Sequence, residues 1–360
     1  MKIAHVIVNL GKGGGQRSTI DLIRATADTF DNHLILLENK RNYDIPDIKT
    51  YSLSEDKKIY KKFDLLGDYL LSKKLQKLLN ELQVDLVISH MEVTAKIVRF
   101  ISLPKIFYMR VDITQELETL KEKSSFRYKK RKRLYKKLFN NQNLITISKD
   151  TETNICKVIN PKVIETIYNP FDKEKIRQLA LEKVDIPKAE YIIQIGSGIR
   201  KKRQDILLEA FSKIEDKKIK LLLLGTAENK DILNLIKKFN IEKERIIFKS
   251  FAQNPYPYIK NAKLLVLSSD REGLPRVIVE SLILKTPVVS TDCDTGPREL
   301  LINELSKYLS KVNDAEKLSI NVNKALISYP EIHEDYTKCF DKVEIKKKFI
   351  NYVEKNKNEI

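Results

Sequence analysis

The stretch LLVLSSDREGLPRVIVESL, residues 264–282, decides the architecture. An apolar run ends at Ser268 or Ser269, a polar loop carries Asp270 to Leu274, and Pro275 opens an apolar helical pattern. A continuous apolar run is what a parallel strand covered on both faces requires. Proline suits the first helical position, because the N–H it lacks would have no partner there. Strand, short loop and helix together form the repeating unit of an α/β sheet, whose ligands gather beyond the carboxyl ends of the strands.

The same unit recurs along the chain. IAHVIV, HLILL, DLVIS, KIFYM and NLITIS read as strands in the first half, and YIIQIG, IKLLLLG, RIIFKS, KLLVLSS and TPVVST in the second. Helical patterns such as QRSTIDLIRATADTF and RQDILLEAFSKI lie between them. This alternation predicts α/β units with parallel sheets. Two such units meet near IYNPFDKEKIRQLALEKVDIPKAEY. The expected organisation is 1–170, 187–342, and a terminal helix over 343–360.

Glu272 precedes the helix start and Glu280 lies about 8 Å further along its axis. A helix N-terminus presents free amides and partial positive charge to an anion, and carboxylates accept hydrogen bonds from hydroxyls. The spacing suits a diphosphate with a hydroxyl-rich ring at each end, the form of a nucleotide sugar. The plainer reading is a helix-start carboxylate followed by one on a solvated face. Two glycine turns point the same way. NLGKGGGQRSTIDL follows the first strand, but Arg17 and Ser18 spoil a dinucleotide fingerprint, and no Walker lysine pattern is present. QIGSGIRKKRQDILLEAF opens the second unit, with Arg200, Lys201, Lys202 and Arg203 ahead of a helix. Cations at a helix start are unfavourable unless an anion neutralises them.

The chain has 360 residues, 42% hydrophobic and 32% charged, which is the composition of a globular protein of two domains. Lys and Arg outnumber Asp and Glu by 67 to 49, and this excess favours anionic partners. Cys156, Cys293 and Cys339 are scattered, as in a reducing compartment, and form no zinc pattern. The opening MKIAHVIVNLGKGGG lacks a signal-peptide pattern, and no segment reaches the roughly 20 apolar residues of a membrane span. The expectation is a cytoplasmic protein, or one held on the cytoplasmic face of the inner membrane.

EGLPRVIVE resembles the E-x7-E motif of the retaining glycosyltransferases of family GT4, which have the GT-B fold. IYNPFD is similar to the family's interdomain segment. QNPYPYIKNAKLLVLSSDREGLPRVIVESLILKTPVVSTDCDTGPREL resembles the family almost continuously, and KRQDILLEAF matches the helix after its phosphate-binding loop. The likeness is strongest over about 190–302. It implies two Rossmann-like domains with parallel sheets facing across a cleft, and a C-terminal helix that includes Tyr352 crossing back to the first. It implies donor contacts at Glu272 (sugar), Glu280 (ribose), Gly273, Leu274 and Pro275 (diphosphate), and Lys202 (phosphate). Gly196, Ser197, Arg200 and Lys201 complete the donor loop, while Gly14 and Gly15 line the first domain's side. The implied reaction moves a sugar with retention from a nucleotide-diphosphate donor, UDP by family weight, to a saccharide hydroxyl, with no metal and no cofactor.

Two departures matter. Gly196-Ser197 stands where many members have Gly-Arg, and Met109 and Arg110 stand where many have a histidine. Arg110 is therefore a candidate contact to sugar or phosphate, and His90, at the end of DLVISH, is the remaining histidine candidate. The stretch SSFRYKKRKRLYKKLFNNQNLITIS, 124–148, concentrates cations at 127–137. Leu134, Tyr135, Leu138 and Phe139 form a helical stripe expected to pack on the sheet, with the cations outward toward an anionic membrane bearing a lipid-linked acceptor. A solvated basic helix is the alternative. Rival functions are a nucleotide-sugar epimerase of the same fold, a glycogen-synthase-like polymerase, and a nucleic-acid-binding protein. No nucleic-acid-binding signature appears, so nucleic acid is not an expected partner.

Overall fold

The computed structural model describes residues 1–11, 13–42, 45–55, 65–196 and 202–356. The chain divides into two compact units, Met1–Phe171 with Phe340–Ile360, and Asp172–Cys339.

Among the described residues the first unit holds β1 (Lys2–Ile7), β2 (Asp31–Leu36), β3 (Lys49–Ser52), β4 (Leu86–His90), β5 (Lys105–Met109), β6 (Asn143–Thr146) and β7 (Val163–Thr166). All pair in parallel, in the order β3-β2-β1-β4-β5-β6-β7. The connecting helices are α1 (Gly14–Ala25), α2 (Leu65–Glu81), α3 (Glu92–Val98), α4 (Ile113–Lys123), α5 (Ser125–Phe139) and α6 (Lys149–Cys156). Side chains at the starts of three helices satisfy otherwise unpaired amides: Asp112 accepts from Thr114 N–H, Ser124 from Arg127 N–H and Ser148 from Thr151 N–H. One sheet face packs Ala4, Val6, Val87, Phe107 and Leu144 against residues of α2 to α6. On the other face Ile7, Leu34 and Leu36 meet Ile20 and Ile23 of α1.

The C-terminal helix, Lys342–Lys355, packs on this unit. Phe349 meets the Phe30 ring edge-on at 6.2 Å, and the Tyr352 hydroxyl donates to the Leu144 carbonyl at 3.1 Å. The two points where the chain leaves and re-enters the unit are hydrogen-bonded to each other. Phe171 N–H donates to the Phe340 carbonyl at 2.9 Å, and Lys342 N–H to the Phe171 carbonyl at 3.1 Å.

The second unit holds β8 (Tyr191–Ile195), β9 (Lys220–Leu224), β10 (Ile246–Lys249), β11 (Leu264–Leu267), β12 (Val288–Thr291) and β13 (Leu309–Ser310), all parallel, in the order β10-β9-β8-β11-β12-β13. Its helices are α7 (Lys173–Leu179), α8 (Gln204–Ser212), α9 (Lys230–Lys238), α10 (Tyr256–Lys260), α11 (Arg276–Ile283), α12 (Pro297–Leu300) and α13 (Ala315–Ile327). Its core joins Leu221, Leu223, Leu264 and Val266 to Leu207, Phe211, Leu318 and Val322.

Each sheet reverses its winding once, between β1 and β4 in the first and between β8 and β11 in the second. Ligands of open parallel sheets bind at such reversals, beyond the carboxyl ends of the strands. Gly14, Gly15 and His90 follow or end the two strands at the first reversal. Gly196 and the 268–275 loop follow those at the second. One detail differs from the sequence reading: Pro275, with ψ of 101°, is the residue before the helix, and α11 begins at Arg276.

Candidate active site

In the second unit, Gly196 has φ of +148°, a conformation that L side chains rarely adopt. A Cβ there would lie 2.8 Å from Cε of Lys202, so the lysine stem runs over the glycine. The backbone at Lys202 is tied down from beneath. The Ser268 hydroxyl donates to the Lys202 carbonyl at 2.7 Å, and the Gln194 amide donates to Ser268 Oγ at 2.9 Å. Arg203 takes a left-handed φ of 46° and leads into α8. The Lys202 ammonium donates to Glu272 Oε1 at 2.7 Å, with both side chains partly exposed. The structure thus brings together a cation from the β8 loop and a carboxylate from the β11 loop. Ser197, Arg200 and Lys201 lie outside the described residues.

The Glu272–Pro275 loop is braced from behind by a segment to which the sequence reading gives no role. The Thr295 hydroxyl donates to the Glu272 carbonyl. Gly296 has φ of +94°, and a Cβ there would meet the Gly273 carbonyl oxygen and Pro275 Cδ, each at 2.6 Å. Leu274 and Pro275 are buried. Cys293, at the start of this brace, has its thiol pushed up to about 12 by burial, with the Glu272 carboxylate adding to the effect. The Gly-Pro dipeptide of DTGPREL was the available signal, since it marks a tight turn without saying what the turn supports.

Glu280 is 4% exposed, so it does not lie on a solvated face. Its Oε1 is 3.4 Å from Arg276 Nη2 and accepts from the Tyr256 hydroxyl at 3.5 Å.

In the first unit, Arg110 follows β5 and is buried. Its Nη1 donates to Asn169 Oδ1 at 2.8 Å, and its Nε and Nη2 lie 3.3 and 3.1 Å from Nδ1 of His90. The guanidinium sits 4.5 Å above the Tyr108 ring, and Arg110 Cδ is 3.6 Å from where a Gly15 Cβ would stand. Arg110 therefore lies against the first turn of α1, which begins at Gly14. His90 has no exposed surface, and its Nε2 is 3.0 Å from Nδ1 of His5. Burial drives the His90 pKa well below its usual value, and the Arg110 guanidinium and then His5 add to this. The His5 value is lowered to about 4, chiefly by burial. In both imidazoles these shifts favour the neutral form. Among the described residues, no group of three or more His, Cys, Asp or Glu is placed to hold a metal ion.

Residues 176–339 match the model of the glycosyl transferases group 1 family. The chain is a glycosyltransferase, and its group 1 likeness lies in these residues. It is 27% identical, over 98% of its length and 99% of the relative's, to N-acetylgalactosamine-N,N'-diacetylbacillosaminyl-diphospho-undecaprenol 4-alpha-N-acetylgalactosaminyltransferase of Campylobacter jejuni. An uncharacterized glycosyltransferase of Methanocaldococcus jannaschii is 31% identical over 65% of this chain and 62% of that one. Among solved structures, Anabaena HepE in complex with UDP and glucose superposes with a TM-score of 0.77, covering 99% of this glycosyltransferase and all of HepE at 18% identity. The α/β fold with two parallel sheets expected from the sequence is the fold of these structures.

Proposed function

We propose that this glycosyltransferase moves a sugar, with retention of anomeric configuration, from a UDP-sugar to a hydroxyl of a lipid-linked saccharide. The product would belong to a bacterial surface polysaccharide or lipopolysaccharide. The Lys202–Glu272 pair at the reversal of the second sheet carries the reading. A diphosphate at the start of α11 meets the amides of that turn and the Lys202 ammonium. The Glu272 carboxylate is then released to accept from hexose hydroxyls, and Glu280 accepts from the ribose. Negative charge that builds on the departing diphosphate is stabilised by groups already in position. No carboxylate nucleophile paired with an acid is assigned, so we favour attack from the leaving-group face, with the departing phosphate taking the acceptor's proton. In the first unit, Arg110 lies against Gly15 at the reversal of that unit's own sheet and is read as a contact to sugar or phosphate. The UDP assignment is supported by the UDP held in the HepE structure, and the lipid-linked acceptor by the diphospho-undecaprenol in the Campylobacter enzyme's name.

We further read the first unit as meeting an anionic membrane surface. No described helix is long and apolar enough to cross a membrane. On α5, Tyr135, Leu138 and Phe139 are buried as the stripe predicts, while Arg127, Lys129, Lys130, Arg133, Lys136 and Lys137 are exposed. Arg131 and Lys132 are the exceptions: Arg131 turns to Glu116 at 2.6 Å and Glu92 at 2.8 Å, and Lys132 donates to the Tyr128 hydroxyl at 3.3 Å. Packed on the same sheet face, α2 exposes Leu65, Leu66, Tyr69 and Leu70. Exposed cations and exposed leucines on helices of one sheet face suit lipid headgroups.

A panel of nucleotide sugars screened by thermal shift tests the donor. A ligand at 100 times its Kd adds about 2.7 kcal/mol. Stabilisation by a UDP-sugar is expected, and its absence for every UDP-sugar would end the assignment. An inverted anomeric centre in the NMR spectrum of the product would end the claim of retention.

A further inference from the structure

A polar chain crosses the α1 face of the first sheet. It climbs from Asn32 near the start of β2, through His5 in β1 and His90 at the end of β4, to Arg110 after β5 and Asn169 after β7. All five residues are buried. The direction of every bond is forced. Arginine only donates, so Nδ1 of His90 is an acceptor and its proton sits on Nε2. That proton goes to Nδ1 of His5, 3.0 Å away, so the His5 proton also sits on Nε2 and is donated to Asn32 Oδ1 at 3.0 Å. The far end agrees independently. The Asn32 amide donates to Thr26 Oγ1 at 3.1 Å, and Thr26 donates to the Leu22 carbonyl at 2.9 Å, which leaves Oδ1 facing His5. The rings are stacked in register, His5 on His90 at 5.3 Å and His90 on Tyr108 at 5.5 Å.

A sheet interior gains more from apolar side chains than from a buried polar chain, unless the chain fixes something in place. This chain fixes a guanidinium. A carboxylate at position 90 would hold Arg110 as firmly but would cancel its charge. A neutral imidazole holds it without adding a counter-charge of its own. We propose that His90, locked by His5, is a positioning residue for glycosyl transfer: it is a neutral acceptor that sets the Arg110 guanidinium at the ligand edge of the first sheet for a phosphate group. The proposal rests on the reading of Arg110 given above.

Nitrogen-15 NMR of the full-length protein tests the lock directly, since the chain has four histidines. His5 and His90 should both carry the proton on Nε2 and should not titrate between pH 5 and 8, where free histidine does. A proton on Nδ1 of either ring, or titration in that range, would overturn the proposal. The purpose is tested by substitution. His90→Gln, which offers a neutral acceptor and a donor, should stay within about threefold of wild-type kcat, whereas His90→Phe and His90→Asp should lose on the order of 100-fold. UDP affinity, read by calorimetry, should stay within about twofold in His90→Gln and fall in His90→Phe and His90→Asp, because a misplaced guanidinium loses its phosphate contact. A folded His90→Phe with wild-type kcat would overturn the proposal. Wild-type transfer by Arg110→Ala, with the tautomers as expected, would overturn the role of Arg110 itself and leave the lock as architecture only.

Discussion

The Lys202 ammonium reaches the Glu272 carboxylate at 2.7 Å across 70 residues of sequence, and the contact joins the two loops that flank the reversal of the second sheet. Each group holds the other in place.

Substituting either partner should separate activity from folding. Lys202→Ala and Glu272→Ala are each expected to lower kcat by about 100-fold, the scale of removing one charge-stabilising group. A partly exposed ion pair contributes only about 1 kcal/mol to stability, so the melting temperature should move little. Steady-state transfer assays beside thermal melts check this. Near-normal turnover by either variant would remove that residue from its role.

Gly296→Ala should act on the same loop without touching the ligand. The φ of +94° and the 2.6 Å approach to Gly273 and Pro275 leave no room for a methyl group. The left-handed strain alone costs about 1–3 kcal/mol. Relief requires the Glu272–Pro275 loop to move, so UDP affinity should fall more than tenfold, on the order of 1.4 kcal/mol. Calorimetry with UDP reads the affinity and chemical denaturation reads the stability.

The His5–His90 pair makes stability depend on pH with a definite sign. His5 falls from an ordinary 6.5 to about 4 in the folded chain, because burial disfavours its charged form. The unfolded chain therefore takes up the proton first. The stability contributed by neutral His5 is complete above about pH 6.5 and is lost as pH falls through that window to about 4, at roughly 1.4 kcal/mol per pH unit. The loss is about 3 kcal/mol for His5, and His90, shifted the same way, steepens the slope. Urea melts from pH 7 to pH 4 should show this decline, and His5→Gln should flatten it.

Membrane contact through α5 should be electrostatic. Reversing Arg127, Lys130, Arg133 and Lys137 to glutamate removes four exposed cations, each contributing about 1 kcal/mol near an anionic surface. The wild-type protein should sediment with phosphatidylglycerol-containing vesicles and not with phosphatidylcholine alone, and the variant with neither. Equal binding to both lipids, or to neither, by the wild type would count against the reading.

Ten strands are legible in the sequence because parallel strands covered on both faces leave unbroken apolar runs. The strands it does not reveal, β3, β7 and β13, are all sheet edges. KTYS and VIET are only partly buried and carry polar residues for that reason, and β13 spans two residues. The loops that carry Lys202 and Glu272 are legible for a different reason: glycine, proline and paired carboxylates at a helix start are chemically unusual and sit close together in the chain. The Asn32–His5–His90–Arg110–Asn169 chain is not legible. Its members lie on separate elements up to 85 residues apart at a single bond, and strand periodicity does not distinguish a buried histidine from the leucines beside it. Thr295 and Gly296 escape for the same reason, since their partners in the Glu272 loop are more than 20 residues earlier.

The hydrogen bond from Phe171 to Phe340 has a topological corollary. Residues 172–339 are a cassette spliced into a host whose cut ends already touch. A bridge of about three residues would reseal the host after excision, and the cassette carries its own hydrophobic core. Each half of the enzyme is thus a candidate to be made, and its ligands studied, without the other.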